Sequence, residues 1–366
     1  MWANRRFLDL VGIDLPIILA PMAEPVRADL AVAVAEAGGL GSLPGAALSA
    51  DQIRAEFGVI RQRTSRPLNL NFFCHRAPTQ NAVKEAAWRL RLQPYYTELG
   101  LDFTTSSAAP RAPFDHRLCD LVVELKPEVV SFHFGLPEPA LLDRVKSTGA
   151  KILSSATTVE EARWLEARGC DAVIAQGFEA GGHPSTFLSD RLSAPVGTLA
   201  LVPQVVDAVR IPVIAAGGIT DARAIAAAFV LGASAVQIGT AYLFCPEARI
   251  SPLHRAALSS RRAARTALTN IFTGRPARAI VNRLIEDLGP MAEEAPEFPL
   301  AIADSAPLRA KSEARGSDDF VPLWAGQAAP LGRALPAGEL TRWLANEAVR
   351  HLRAIADAHG DARTNR

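Results

Sequence analysis

The chain has 366 residues, 49% of them apolar, and a formal net charge of +1. Mixed, near-neutral charge argues against a nucleic-acid or anionic-membrane partner. Cys74, Cys119, Cys170 and Cys245 form no CxxC pair. That argues against a disulfide framework or a zinc site and suits a reducing cytoplasm.

The N-terminal stretch MWANRRFLDLVGIDLPIILAPM is interrupted by Asp9 and Asp14, so it does not read as a signal peptide. PIILAPM is a strand, followed by the helix RADLAVAVAEAGG. LGSLPG and ADQIRAEFGVIRQR repeat the pair, and PLNLNFF is a third strand. After a long excursion come VVSFHFG and a helix from PALLDRVKSTG. KILSSAT precedes TVEEARWLEARG, with Thr158 or Thr157 as cap and glutamates in the first turn. DAVIAQG, LALVPQVVDAVR, PVIAAGG and DARAIAAAFVLGA follow, the last capped by Asp221 or Thr220. AVQIGT is the eighth strand. Residues 224–244 carry no charge and are long enough to span a bilayer, but Gly232 splits them into a buried helix and a short strand.

Continuous apolar strands imply a parallel sheet covered on its outer face. Eight β-then-α units favour a (β/α)8 TIM barrel, an α/β fold, over an open doubly wound sheet. Residues 1–75 and 116–245 form the barrel. Residues 76–115 and 246–366 form a smaller, mainly helical cap over its mouth. The cap contains the helix AAWRLRLQPYYTELG, the loop SSAAPRAP, the basic helix HRAALSSRRAARTAL, the loop FTGRPAR and the closing helix AGELTRWLANEAVRHLRAIADAHG. The last six residues need no function.

A barrel of this kind works at the C-terminal ends of its strands. The turns AAGGIT and QIGT follow strands seven and eight, the usual phosphate position, with their glycines 22 residues apart. Gly217, Gly218, Gly239 and Thr240 can offer backbone N–H groups to a phosphate, aided by the helices after Asp221 and Thr240. No GxGxxG follows the first strand, so a mononucleotide such as FMN fits better than a Rossmann dinucleotide. Ala20, Pro21 and Met22 offer a flat apolar edge, and Asn69, Gln176 and Gln237 offer amides. In EAGGH, Gly181 and Gly182 let a planar ligand lie on bare backbone while His183 reaches over it. An imidazole there can move a proton at neutral pH or steady an anion. His133, late in a strand between two phenylalanines, is a second catalytic candidate or a buried anchor. Glu179 orients the loop.

LPIILAPM, NLNFFCHR, VSFHFGLP, QGFEAGGH, AAGGI, QIGTAYLF and WAGQ together resemble the nitronate monooxygenases, in particular their class I members. The similarity covers roughly residues 10–345. The resemblance implies an FMN enzyme, independent of reduced nicotinamide, that oxidises alkyl nitronates with O2 to a carbonyl compound and nitrite. Propionate 3-nitronate is the implied substrate and detoxification the implied role. It also implies that Met22 lies against the flavin, that Asn69 and Gln176 contact flavin or ribityl chain, and that His183 is catalytic. The segment PLAIADSAPLRAK departs from the family in lacking tyrosine. It offers Arg309 and Lys311, either of which could hold a substrate carboxylate. An NAD(P)H-dependent reductase of enoyl thioesters or quinones is the alternative enzyme. A barrel that only binds FMN is the non-enzyme alternative. The chain is expected as a monomer or homodimer.

Overall fold

The computed structural model describes residues 2, 4–103, 112–189 and 195–360. Most of the expected loop 106–113, and the last six residues, lie outside them. Eight parallel strands, β1 (Ile17–Leu19), β2 (Gly41–Pro44), β3 (Leu68–Phe73), β4 (Val129–His133), β5 (Lys151–Ala156), β6 (Ala172–Gln176), β7 (Val213–Ala216) and β8 (Ala235–Ile238), form one sheet. Its order is β1-β8-β7-β6-β5-β4-β3-β2. A parallel bridge between Ile18 and Leu40 joins the first strand to the last. There, Leu19 N–H donates to Leu40 O at 3.0 Å and Leu40 N–H to Ile17 O at 2.9 Å. The sheet is therefore a closed (β/α)8 barrel.

The local signals explain the helices. Ser49 and Gln52 form a reciprocal capping box at Ala50–Arg63. Thr158 caps Val159–Ala167, and Asp221 caps Ala222–Val230. Strand interiors are apolar and buried, but a polar set points inward near the mouth. Asn69 Nδ2 donates to Ser42 Oγ at 3.0 Å, and Asn71 Nδ2 to Ser131 Oγ at 2.9 Å. Among the described residues no helix is long and apolar enough to cross a membrane.

Residues 254–268, expected as one basic helix, divide into three elements. A short helix, Pro252–Leu258, is followed by a 3-10 turn, Arg261–Ala264, and then by strand β9 (Thr266–Thr269). Ser260 Oγ accepts from Arg262 N at 3.1 Å and so starts the new turn. β9 pairs antiparallel with β10 (Ala277–Ile280), which occupies the end of the expected loop FTGRPAR. The cap thus includes a β-hairpin. Its own core joins Trp88, Leu92 and Tyr96 of helix Ala82–Leu99 to Ile271, Phe272, Leu308 and Phe320.

Helix Ala337–Gly360 was expected in the cap, but it packs on the barrel. Leu340, Leu344, Ala345 and Ala348 belong to the barrel's own core cluster. Thr341 Oγ1 lies 2.7 Å from Tyr242 Oη, beside the turn that follows β8. Its apolar stripe therefore covers the outside of the barrel and not its mouth. Leu344→Ala should lower stability by about 2–5 kcal/mol in urea denaturation, the cost of a buried cavity. A change within about 0.5 kcal/mol, typical of a surface site, would contradict that packing.

Candidate active site

Seven strand ends, all but that of β2, and part of the cap enclose a cavity of about 250 Å³ at the C-terminal mouth. Ala20, Pro21 and Met22 from the turn after β1 form one wall, with Gln237, Gly239 and Thr240 beside them. Gly217 and Gly218 line it too, at φ +106° and +68°, a region that glycine enters without penalty. A Cβ on Gly239 would come within 3.5 Å of Ala20 Cβ and Met22 Sδ, so the turn sits close against the first strand. The helix expected after Thr240 is a single turn, Thr240–Leu243. Asn71 Oδ1 and Gln237 Oε1 are buried on the cavity wall and accept no hydrogen bond. Two such acceptors call for donors from a bound molecule.

Asn69 does not line this cavity. It is fully buried, and with side chains alternating along a strand it sits two residues, roughly 7 Å, deeper than Asn71. Asn71 takes the position at the wall. Period-two alternation marks both asparagines as inward-facing, and only the depth of the mouth separates them.

The EAGGH loop owes its shape to contacts with the cap. An ideal Cβ on Gly181 would lie 2.6 Å from Gly326 N and 2.7 Å from Ala325 C. Gly182, at φ +72°, pairs with Arg278 of β10: Gly182 N–H donates to Arg278 O at 3.1 Å, and Arg278 N–H to Gly182 O at 2.7 Å. On the other side Gln327 N–H donates to Glu179 O at 3.0 Å. Gly326 N–H donates to Thr240 Oγ1 at 2.9 Å, tying the WAGQ segment to the turn after β8. Bare backbone at 181 thus serves a backbone-to-backbone seam as well as the cavity that Gly181 and Gly182 line.

Glu179 points away from the cavity. Its carboxylate accepts from Thr198 N at 2.8 and 3.0 Å and from Thr198 Oγ1 at 2.9 Å, at the N-terminus of helix Thr198–Ala208. A carboxylate there also meets the positive end of the helix dipole. Thr198 Oγ1 also lies 2.9 Å from Gly217 O. One network therefore orients both the EAGGH loop and the first glycine turn.

His183 is held at both ends. Gln176 Nε2 donates to its carbonyl at 3.1 Å, while Gln176 Oε1 accepts from Ser185 N at 2.7 Å. His133 Nε2 meets the same His183 carbonyl at 3.1 Å. A carbonyl only accepts, so the proton sits on His133 Nε2. The His183 ring places Nε2 2.9 Å from Thr273 Oγ1 and packs at 5.2 Å from Phe298 and 5.9 Å from Trp324. Desolvation pushes the His133 pKa down to about 4, with the nearby Arg275 cation adding to the effect and the bond to His183 opposing it. His133 is therefore neutral at physiological pH, and its visible work is to fix the position of His183. Gln176 does the same, although both residues line the cavity.

Of the two basic candidates, Arg309 lines the cavity and Lys311 does not. Two residues apart on helix Ala301–Ala314 is about 200° of rotation, so both cannot face the same space. Arg309 forms a two-bond ion pair with Glu24, at 2.8 and 3.0 Å, which joins the cap to the turn after β1. Sequence reasoning did not find Thr273, Phe298 or Trp324, which reach His183 from the cap.

Beyond the cavity lies a larger chamber of about 630 Å³, lined in part by Arg275, Trp164, Phe187, Phe134 and Phe298. Phe134 sits in the left-handed region, at φ +69°, which disfavours residues with a side chain. Its N–H is held by Ser185 Oγ at 3.0 Å.

A closed barrel with polar groups converging at the C-terminal mouth defines a TIM-barrel enzyme. The nitronate monooxygenase family model matches residues 4–347, and the chain belongs to that family. It is 44% identical to a nitronate monooxygenase from Pseudomonas aeruginosa over 345 residues, 93% of this chain and 98% of that one. Against a nitronate monooxygenase from Paraburkholderia phytofirmans the identity is 41%, covering 97% and 98%. Among solved structures, a nitroalkane oxidase from Streptomyces ansochromogenes superposes with a TM-score of 0.88 at 38% identity, covering 96% of this chain and 99% of that one. FabK from Thermotoga maritima gives 0.75 at 28% identity, covering 98% and 100%.

Two predictions follow from this geometry. Gly181→Ala should destabilise the protein by about 1–3 kcal/mol, because the new methyl overpacks the seam with Ala325–Gly326. Unchanged thermal stability would mean that the seam yields freely. His133 and His254 are both lowered to about 4, first by burial, against 6.5 for an ordinary histidine. The unfolded chain then binds more protons below 6.5, so their contribution to stability is lost as pH falls from 6.5 towards 4. His133→Gln should flatten that fall in denaturant midpoints. An identical slope in the variant would contradict the placement.

Proposed function

We propose that this chain is an FMN-dependent nitronate monooxygenase, oxidising alkyl nitronates with O2 to a carbonyl compound and nitrite. Family membership carries the reaction class, and the placement of His183 on the cavity wall carries its application to this site. The residues present fit a flavin mononucleotide. Asn71 Oδ1 and Gln237 Oε1 are buried acceptors in want of donors, which ribityl hydroxyls or a ring N–H can supply. Gly217, Gly218, Gly239 and Thr240 would hold the phosphate, with helix Ala222–Val230 starting just behind the glycines. Ala20, Pro21 and Met22 would lie along the ring. When bound, the flavin supplies one-electron oxidation and reactivity towards O2.

The chain's own contribution is binding and proton handling. A preformed nitronate already lacks the acidic proton, and His183 then orients the anion. A neutral nitroalkane must first lose a proton from carbon, and His183 is the base that takes it. His133 and Gln176 position that base through its carbonyl. The aromatic surround of Phe298 and Trp324 excludes water and strengthens every charge interaction inside. Propionate 3-nitronate is the substrate we favour, with Arg309 as the basic side chain of the cavity wall nearest to that role. Removing such a poison is a detoxification role, and the four free thiols suit a cytoplasmic setting.

The purified yellow protein should consume oxygen and release nitrite with a nitronate and no NADH. His183→Asn should lower kcat/KM for a neutral nitroalkane by roughly 10²–10⁴, the worth of a general base, and for the nitronate by far less. Equal losses for both would remove the base role. Anaerobic bleaching by NADH or NADPH without nitronate turnover would favour the reductase alternative, which the likeness to FabK raises.

A further inference from the structure

The hydroxyl of Thr273 faces His183 Nε2 at 2.9 Å and Arg275 O at 3.0 Å. A hydroxyl has one proton, and a carbonyl can only accept. With that proton given to Arg275 O, Thr273 Oγ1 accepts from His183 Nε2–H. Arg275 N–H approaches the same oxygen at 3.4 Å, again as a donor. With Arg275 O as the acceptor of the hydroxyl proton, the side of Oγ1 facing His183 is an acceptor for a histidine N–H.

We propose that Thr273 is a positioning residue that fixes neutral His183 as its Nε2–H tautomer, which makes Nδ1 the nitrogen that carries the basic lone pair. The proposal rests on the nitronate reading for its substrate. In the step it serves, the C–H bond next to the nitro group breaks and an N–H bond forms at Nδ1. The electron pair moves into the nitro group and gives the nitronate. The imidazolium that results keeps its Nε2–H bond to Thr273 and later returns its extra proton to water.

The support of Thr273 is unusually firm for a residue in a loop. Gly274, at φ +87°, lies so close to Pro296 O that a Cβ there would collide with it. Its N–H donates to Asn270 O at 2.7 Å. Asn270 in turn exchanges two hydrogen bonds with Ala292, at 2.8 and 2.9 Å. Ser305 Oγ donates to Phe272 O at 2.8 Å from helix Ala301–Ala314. The turn between β9 and β10 is thus pinned on both sides, and Thr273 itself is buried. With the His183 carbonyl clamped by His133 and Gln176, a ring flip would forfeit the bond to Thr273 without moving the backbone.

The test uses holoenzyme labelled with 15N-histidine, at alkaline pH where the ring is neutral, as wild type, Thr273→Val and Thr273→Ser. The expected spectrum assigns the Nε2–H tautomer to His183 in wild type and in the serine variant. In the valine variant it becomes a mixture or the Nδ1–H form. In parallel, kcat/KM for nitroethane should fall by roughly tenfold or more in Thr273→Val, part of the general-base contribution, and return in Thr273→Ser. Oxidation of preformed ethyl nitronate, for which His183 only orients the anion, should fall by far less than that of nitroethane in Thr273→Val. A wild-type Nδ1–H signal, or equal losses for nitroethane and its anion, would overturn the proposal. If wild type oxidises neither compound, the functional reading fails, and the tautomer spectrum still decides what Thr273 does.

Discussion

The seam between Gly181 and Gly326 is the constraint on which the site depends. Two peptide backbones meet there with no room for a methyl group. The barrel supplies one side and the cap the other, so the loop that carries His183 cannot take its shape until both have folded. Neighbouring pairs, Glu179 with Gln327 and Gly182 with Arg278, extend the seam in both directions. Arg278, itself buried, adds two donors to Phe178 O at 2.9 and 3.1 Å. Closure of the barrel sets where the strand ends lie, and this seam sets where the imidazole points.

Electrostatics at the mouth follow the same division of labour. Two charged groups beside the mouth are spent on scaffolding, Glu179 on a helix N-terminus and Arg278 on a carbonyl, while Arg309 lines the cavity and pairs with Glu24. His133 is kept neutral by burial and used as a donor. In the proposed reaction the imidazole of His183 is the group that handles the proton.

The barrel was legible in the sequence because each strand is a short apolar run and the helices carry their own start signals, such as Ser49–Gln52 and Asp221. Post-strand glycines at 217, 218 and 239 announced the cavity for the same reason. The cap was harder. Thr266–Thr269 is a strand only because Ala277–Ile280 pairs with it, and periodicity within the preceding basic segment favoured helix. An apolar stripe on residues 337–360 shows that a face is buried but not against what, and the barrel is what it meets. Depth along a strand separates Asn71 from Asn69, and helical phase separates Arg309 from Lys311. Thr273 is 90 residues from His183, and nothing local marks it as a partner. Pairings made across the seam are tertiary facts, which local patterns do not encode.

The central claim is that the mouth of this barrel oxidises nitronates with His183 as its working group. Its most direct test is oxygen uptake and nitrite release by the yellow protein, with propionate 3-nitronate in one cell and NADH plus a quinone in the other. Uptake with nitrite in the first cell and silence in the second is the result this account predicts. NADH oxidation in the second cell with none in the first would contradict it and assign the same flavin cavity to a reductase.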